Sequence, residues 1–151
     1  MSIEQDIKQA RFRSPYQRMA VNLLFTSNWI GDMQMRLMRP HGITLQQYNV
    51  LRILRGQHPN PVRVADIMER MLDKMSNASR LVDKLVAKEF VKRTECPSDR
   101  RAVDVVITEA GLALLTEVDI LQTGWETMLG TLNETEADQL SSLLDKLRGS
   151  E

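Results

Sequence analysis

Apolar positions recur at helical spacing through most of the chain and switch to alternation only once. The first helical stretch follows Ser14-Pro15. Ser14 can cap, Pro15 suits the first helical position, and Gln17 stands where a reciprocal cap needs it. The pattern predicts a helix over 14–39, stopped by Pro40, His41 and Gly42. Its apolar residues lie on more than one side: Tyr16, Met19, Leu23, Ile30, Met33 and Leu37 on one, Leu24, Phe25 and Trp29 on another. A helix that is apolar on several sides needs more than one partner, which suggests a dimer interface beside an internal core.

Thr44, with Gln47 three residues on, opens a second helix through Tyr48, Val50, Leu51 and Leu54. A short third helix follows Val62, carrying Val64, Ala65, Ile67 and Met68. After a break at Leu72 to Met75 comes a fourth, over 76–88, with Ala78, Leu81, Val82 and Leu85 at helical spacing. Two β-type runs follow, 90–94 and 102–107, separated by the polar turn 96–100, so a hairpin is expected. Thr108 can cap a long helix whose residues Leu114, Val118, Leu121, Trp125 and Met128 step by four and three in alternation. Gly130 ends it. Asn133 and Glu136 box a last helix with the stripe Ala137, Leu140, Leu144 and Leu147.

At 151 residues and 42% hydrophobic content the chain is long enough for a core of its own and is expected to form one domain, 1–151. No apolar run is long enough to span a membrane, and the polar N-terminus holds no secretory signal, so no membrane partner and a cytoplasmic location are expected. The lone Cys96 fits a reducing compartment and cannot close an internal disulfide. The net charge of zero conceals an asymmetry: residues 1–73 carry +4, residues 74–101 another +4, and residues 102–151 carry −8. A compact basic segment points to a polyanion contact, although a solvated mixed-charge surface looks the same on charge alone.

Three short helices followed by a basic hairpin is the order of a winged helix-turn-helix. Such a unit lays its second helix in the major groove of duplex DNA. The 76–88 helix suits that task. With its apolar face buried, Ser76, Asn77, Ser79 and Arg80 are left to meet base edges, Asn by pairing with adenine and Arg with guanine. Lys84 and Lys88 lie further along, where phosphates run. An ordinary amphipathic surface helix is the alternative for this element taken by itself.

The run Asp99-Arg100-Arg101, with Val105, Ile107, Thr108 and Gly111, resembles the wing signature of the MarR family (multiple antibiotic resistance regulators). Gly42-Ile43-Thr44 with Gln47 and Val50-Leu51 is similar to that family's entry into its second helix, as is Arg80 to Leu85 running into Val91-Lys92-Arg93. The resemblance covers nearly the whole chain in element order. It implies a mainly α fold, a winged helix-turn-helix at 44–108 with a small β-hairpin wing, flanked by N- and C-terminal dimerisation helices at 14–39 and 109–148. It implies a ligand-responsive repressor that binds a pseudo-palindromic operator in double-stranded DNA as a homodimer, with half-sites about 34–36 Å apart. Arg101, and with it Arg100, would engage DNA from the wing tip, Arg101 in the minor groove. Asp99 would brace the Arg101 guanidinium; a structural turn salt bridge is the alternative. The C-terminal seams would pair between subunits, unless they close a bundle within one chain. A winged-helix interaction module without DNA binding is the competing function.

The family also binds small aromatic or anionic effectors in a cleft, for which Trp29, Met33, Met38, Tyr48 and Arg52 are conceivable lining, with plain core as the alternative. One departure stands out: Glu89 occupies the position at the end of the recognition helix where the family usually has Gly. A left-handed cap there would strain Glu, so either the helix ends differently or the wing sits at a changed angle. No catalytic set, phosphate loop, metal-ligand cluster or cofactor motif is visible. Neither an enzyme nor a metalloprotein is expected, and Cys96 is most simply an incidental thiol.

Overall fold

A computed structural model describes residues 2–95 and 103–149, save the side chains of Glu95, Gln122, Thr123, Trp125 and Glu126. The elements are α1 (Ile3–Asp6), α2 (Pro15–Met38), a 3-10 turn (Arg39–His41), α3 (Leu45–Arg55), β1 (Val62–Arg63), α4 (Val64–Arg70), α5 (Ala78–Ala87), β2 (Val91–Glu95), β3 (Val103–Ile107), α6 (Glu109–Leu129) and α7 (Glu134–Leu147). This is the expected mainly helical fold with a small antiparallel sheet, built as two compact units, Met1–Leu115 and Thr116–Glu151. Among the described residues no helix is long and apolar enough to cross a membrane.

The helix starts follow local chemistry. Ser14 Oγ accepts from the Gln17 N–H at 3.2 Å, and Thr44 and Gln47 form the full reciprocal box at the head of α3. Gly42, at φ +68°, takes the left-handed turn that separates α2 and its 3-10 extension from α3. Asn133 and Glu136 box α7 as their spacing predicts.

In the first unit, Val50, Leu51 and Leu54 of α3, Ile67 of α4, Met71, and Val82 and Leu85 of α5 are buried together with Val91 and Val105 of the sheet. The sheet order is β1-β3-β2, all antiparallel, so the expected hairpin gains a third strand. That strand, Val62–Arg63, lies where the sequence suggested only the approach to a helix. Val62 stands opposite Val105 and Arg63 opposite Asp104, and a two-residue strand is too short to show its own alternation. The small helix α1 was not expected either. Its signal was a Ser2–Gln5 capping box in a stretch that is otherwise polar. Ile3 is buried, and Glu4 pairs with Arg18 of α2 at 2.6 Å.

Candidate nucleic-acid interface

Helix α5 is the element from which the site is built. Ala78, Val82 and Leu85 are buried on one side, while Ser79, Arg80, Asp83 and Lys84 are exposed on the other. The helical spacing of Ala78, Leu81, Val82 and Leu85 thus yields one anchored face and one polar face. Asn77 is the N-cap: its Oδ1 accepts from the Arg80 N–H at 3.0 Å. That engagement changes its expected role. The side-chain carbonyl serves the helix terminus, so the two-bond pairing with adenine loses its acceptor, and the exposed NH2 is the group left to donate. Ser76 changes more. Its Oγ is buried without a hydrogen-bond partner, so the hydroxyl is turned away from a surface that could meet a base.

The turn before α5 is held from three directions. Asn49 of α3 accepts the Leu72 N–H on Oδ1 at 2.9 Å. Asp73 accepts the Met75 N–H on its carboxylate at 3.0 Å and the Ser76 N–H on its carbonyl at 3.1 Å. Lys74 donates its ammonium to the Glu69 carbonyl. None of these partnerships was foreseen. The one available signal was Asn49 itself, a polar residue of low helix propensity beside the apolar run Val50-Leu51.

The far end of α5 closes as a Schellman turn. Phe90 N–H donates to the Leu85 carbonyl at 3.1 Å and Glu89 N–H to the Val86 carbonyl at 2.9 Å. Glu89 holds φ +61°. The helix therefore ends in the left-handed cap despite the missing glycine. Surrounding bonds enforce it: Thr108 Oγ1 donates to the Glu89 carbonyl at 2.7 Å and accepts the Gly111 N–H at 3.1 Å, while Thr108 N–H donates to the Phe90 carbonyl at 3.0 Å. Gly111 permits this approach. A Cβ there would lie 2.4 Å from the Phe90 carbonyl oxygen and 2.7 Å from Ile107 Cγ1. The Thr-x-x-Gly pattern is thus the joint between α5, the last strand and α6.

Two long-range contacts connect α5 to its neighbours. Asp83 pairs with Arg93 of β2, tying the helix to the first strand of the wing. Lys88, expected on phosphate, donates instead to the Gly42 carbonyl, with Gln47 Oε1 at 3.5 Å. It serves as a brace between the end of α5 and the entry to α3. Arg80 and Lys84 are the cations of α5 that have no ion pair among the described residues. Cys96, Asp99, Arg100 and Arg101 lie outside the described residues.

The five residues expected around an effector differ in burial. Met33, Met38 and Tyr48 are buried, whereas Trp29 and Arg52 are exposed. The Arg52 guanidinium carbon stands 5.9 Å from the Tyr48 ring centroid, at the outer limit of a cation–π contact. Among the described residues no group of three or more His, Cys, Asp or Glu is placed to hold a metal.

Known proteins share this arrangement. Residues 41–102 match the model of the MarR family. The transcriptional repressor MprA of Escherichia coli (strain K12) is 26% identical over 155 aligned positions, covering 96% of this chain and 86% of its own. The Staphylococcus aureus MepR–DNA complex shares the fold, with a TM-score of 0.74 at 20% identity over 93% of this chain and all of that one. The crystal structure of a MarR transcription factor from Planctomyces limnophilus is 32% identical, with a TM-score of 0.67 over 91% of this chain and 98% of that chain. With a capped α5, a three-stranded antiparallel sheet and a match at 32% identity over nearly the full length of both chains, the protein belongs to the MarR family.

Proposed function

We propose that this protein is a DNA-binding transcriptional regulator, and specifically a repressor, that acts on a pseudo-palindromic operator as a homodimer. The observation that carries the reading is α5: one face anchored in the core, the opposite face presenting Ser79, Arg80 and Lys84, and both ends fixed by side-chain and backbone bonds. A rigid helix of this kind suits insertion into a major groove, with Arg80 placed to donate to guanine and Lys84 to phosphate. The hairpin that carries Arg100 and Arg101 in its sequence supplies the second contact, in the minor groove, with Asp99 bracing Arg101. The repressor assignment draws on the likeness to MprA.

Dimerisation is supported by apolar surface left in water. α2 buries only Met33 and Met38 and exposes Tyr16, Met19, Leu23, Leu24, Phe25, Trp29 and Met35. In the second unit α7 buries nothing and exposes Leu140, Leu143 and Leu147. A second copy would cover these faces, with 44–108 as the reading head and 14–39 and 109–148 as the dimerisation helices. An effector cleft is left out of this reading, since three of its five expected lining residues are packed as core.

The test is binding to duplex fragments from upstream of the protein's own coding sequence, across a salt series. Tight, salt-dependent binding is expected. Arg101→Ala should weaken it on every fragment, and Arg80→Ala should relax the choice between fragments. Lys84→Ala should flatten the slope of log affinity against log salt by about 0.9, the effect of one phosphate no longer neutralised. Binding that ignores all three changes, or that ignores salt, would leave a winged-helix module that recognises protein instead.

A further inference from the structure

The turn between α4 and α5 leaves two large apolar side chains in water. Leu72 is 88% exposed and Met75 93% exposed, the two highest values among the exposed large hydrophobic residues described. Neither is loose. The backbone N–H of each is bonded to a side chain, Leu72 to Asn49 and Met75 to Asp73, and the next N–H, of Ser76, is bonded to the Asp73 carbonyl. A turn fixed by three hydrogen bonds that still holds Leu and Met outward is organised before any partner arrives. Met75 stands two residues ahead of Asn77, the N-cap of α5.

The occupant of this surface can be named from its chemistry. Asp73 and Lys74 offset each other between the two side chains, while Arg80 and Lys84 follow on the exposed face of α5 without an ion pair among the described residues, so the partner is polyanionic with an apolar point. In the major groove of duplex DNA that apolar point is the C5-methyl group of thymine, set between lines of phosphate. Methionine, unbranched and polarizable, can close around such a methyl. Resting on the DNA-binding reading above, we propose that Met75 and Leu72 read thymine methyl groups at the edge of each half-site, adding an apolar specificity contact to the polar ones from α5.

The experiment selects tight binders from a random duplex library with the wild-type protein. Each thymine of the selected site is then replaced in turn by deoxyuridine, which removes only the methyl. At one or two positions per half-site the loss for the wild-type protein should be about threefold to fivefold, the effect of one buried methyl. Met75→Ala and Leu72→Ala should each abolish the sensitivity at its own thymine while leaving the other positions unchanged. Both residues are so exposed that the variants should fold, which circular dichroism checks. A selected site at which deoxyuridine acts equally on wild type and both variants, or not at all, would overturn the inference and leave the DNA-binding reading intact. A loss of self-association in either variant with the deoxyuridine profile unchanged would assign the surface to a second copy and overturn it too. A library with no enriched duplex would remove both readings.

Discussion

Helices α5 and α7 begin alike and end differently. Each starts on an asparagine whose side chain accepts from the third residue of the helix, and each carries an apolar stripe opposite a charged face. α5 buries Ala78, Val82 and Leu85; α7 buries nothing. The difference lies outside the helices. α5 has α3, α4 and β2 against its stripe, whereas Leu140, Leu143 and Leu147 of α7 stay in water. Amphipathic periodicity therefore states that a helix has a face to bury. It does not state whether the cover comes from the same chain.

Truncating one leucine on each helix separates the two cases. Leu85→Ala should lower the unfolding free energy by about 3 kcal/mol, because the cavity is enclosed on all sides. Leu140→Ala should leave the unfolding of a dissociated chain within about 0.5 kcal/mol of wild type, while shifting self-association, followed by sedimentation, toward monomer. Equal destabilisation by both, with no change in association, would place the cover of α7 within its own chain.

The joint behind α5 comes next in size. Gly111→Ala puts a Cβ against a backbone carbonyl that cannot swing away. It should destabilise by about 2 kcal/mol, even though alanine is the better helix former. Thermal or denaturant unfolding measures it, and a neutral result would mean that the approach of α6 to Phe90 is looser than 2.4 Å implies.

Smaller and opposite effects are expected at the two ends of α5. Asn77→Ala removes a cap and should destabilise by about 1 kcal/mol, with Asn77→Asp restoring most of it. Glu89→Gly relieves a side chain held at φ +61° and should stabilise by about 0.5–1 kcal/mol. If Glu89→Gly destabilises instead, the Glu89 side chain contributes something beyond its backbone conformation.

The smallest effect is at the N-terminus. The hydrogen bond from Arg18 holds the Glu4 carboxyl at about 2, below its ordinary 4.5. A depressed carboxyl stabilises the docked α1 above pH 4.5, and the contribution is lost as pH falls toward 2. Titration of the Glu4 side chain by NMR should show the low value, and Arg18→Ala should return it to the ordinary range.

Much of the fold was open to inspection in the chain. The caps at Ser14, Thr44, Thr108 and Asn133, the five helices of ten residues or more and the paired strands all depend on residues three or four apart or on simple periodicity. The bonds that shape the site span longer intervals: Asn49 to Leu72, Asp83 to Arg93, and Lys88 to Gly42. Polarity and place in the 76–88 segment alone point Lys88 to phosphate and Ser76 to a base edge. Nothing local to either residue encodes the carbonyl 46 residues away that the first meets, or the burial of the second's hydroxyl.

The longer helices, the hairpin and the helix that carries the polar face follow from local hydrogen bonding and from the period at which apolar side chains recur, while the family rests on the resemblance of the wing signature. What only the tertiary structure decided was which polar groups remain free on that face, that Glu89 would adopt a left-handed turn, and that Leu72 and Met75 would be held outward. Asn49 at Leu72 and Thr108 at Glu89 reach these positions from distant segments, and no spacing along the chain encodes that.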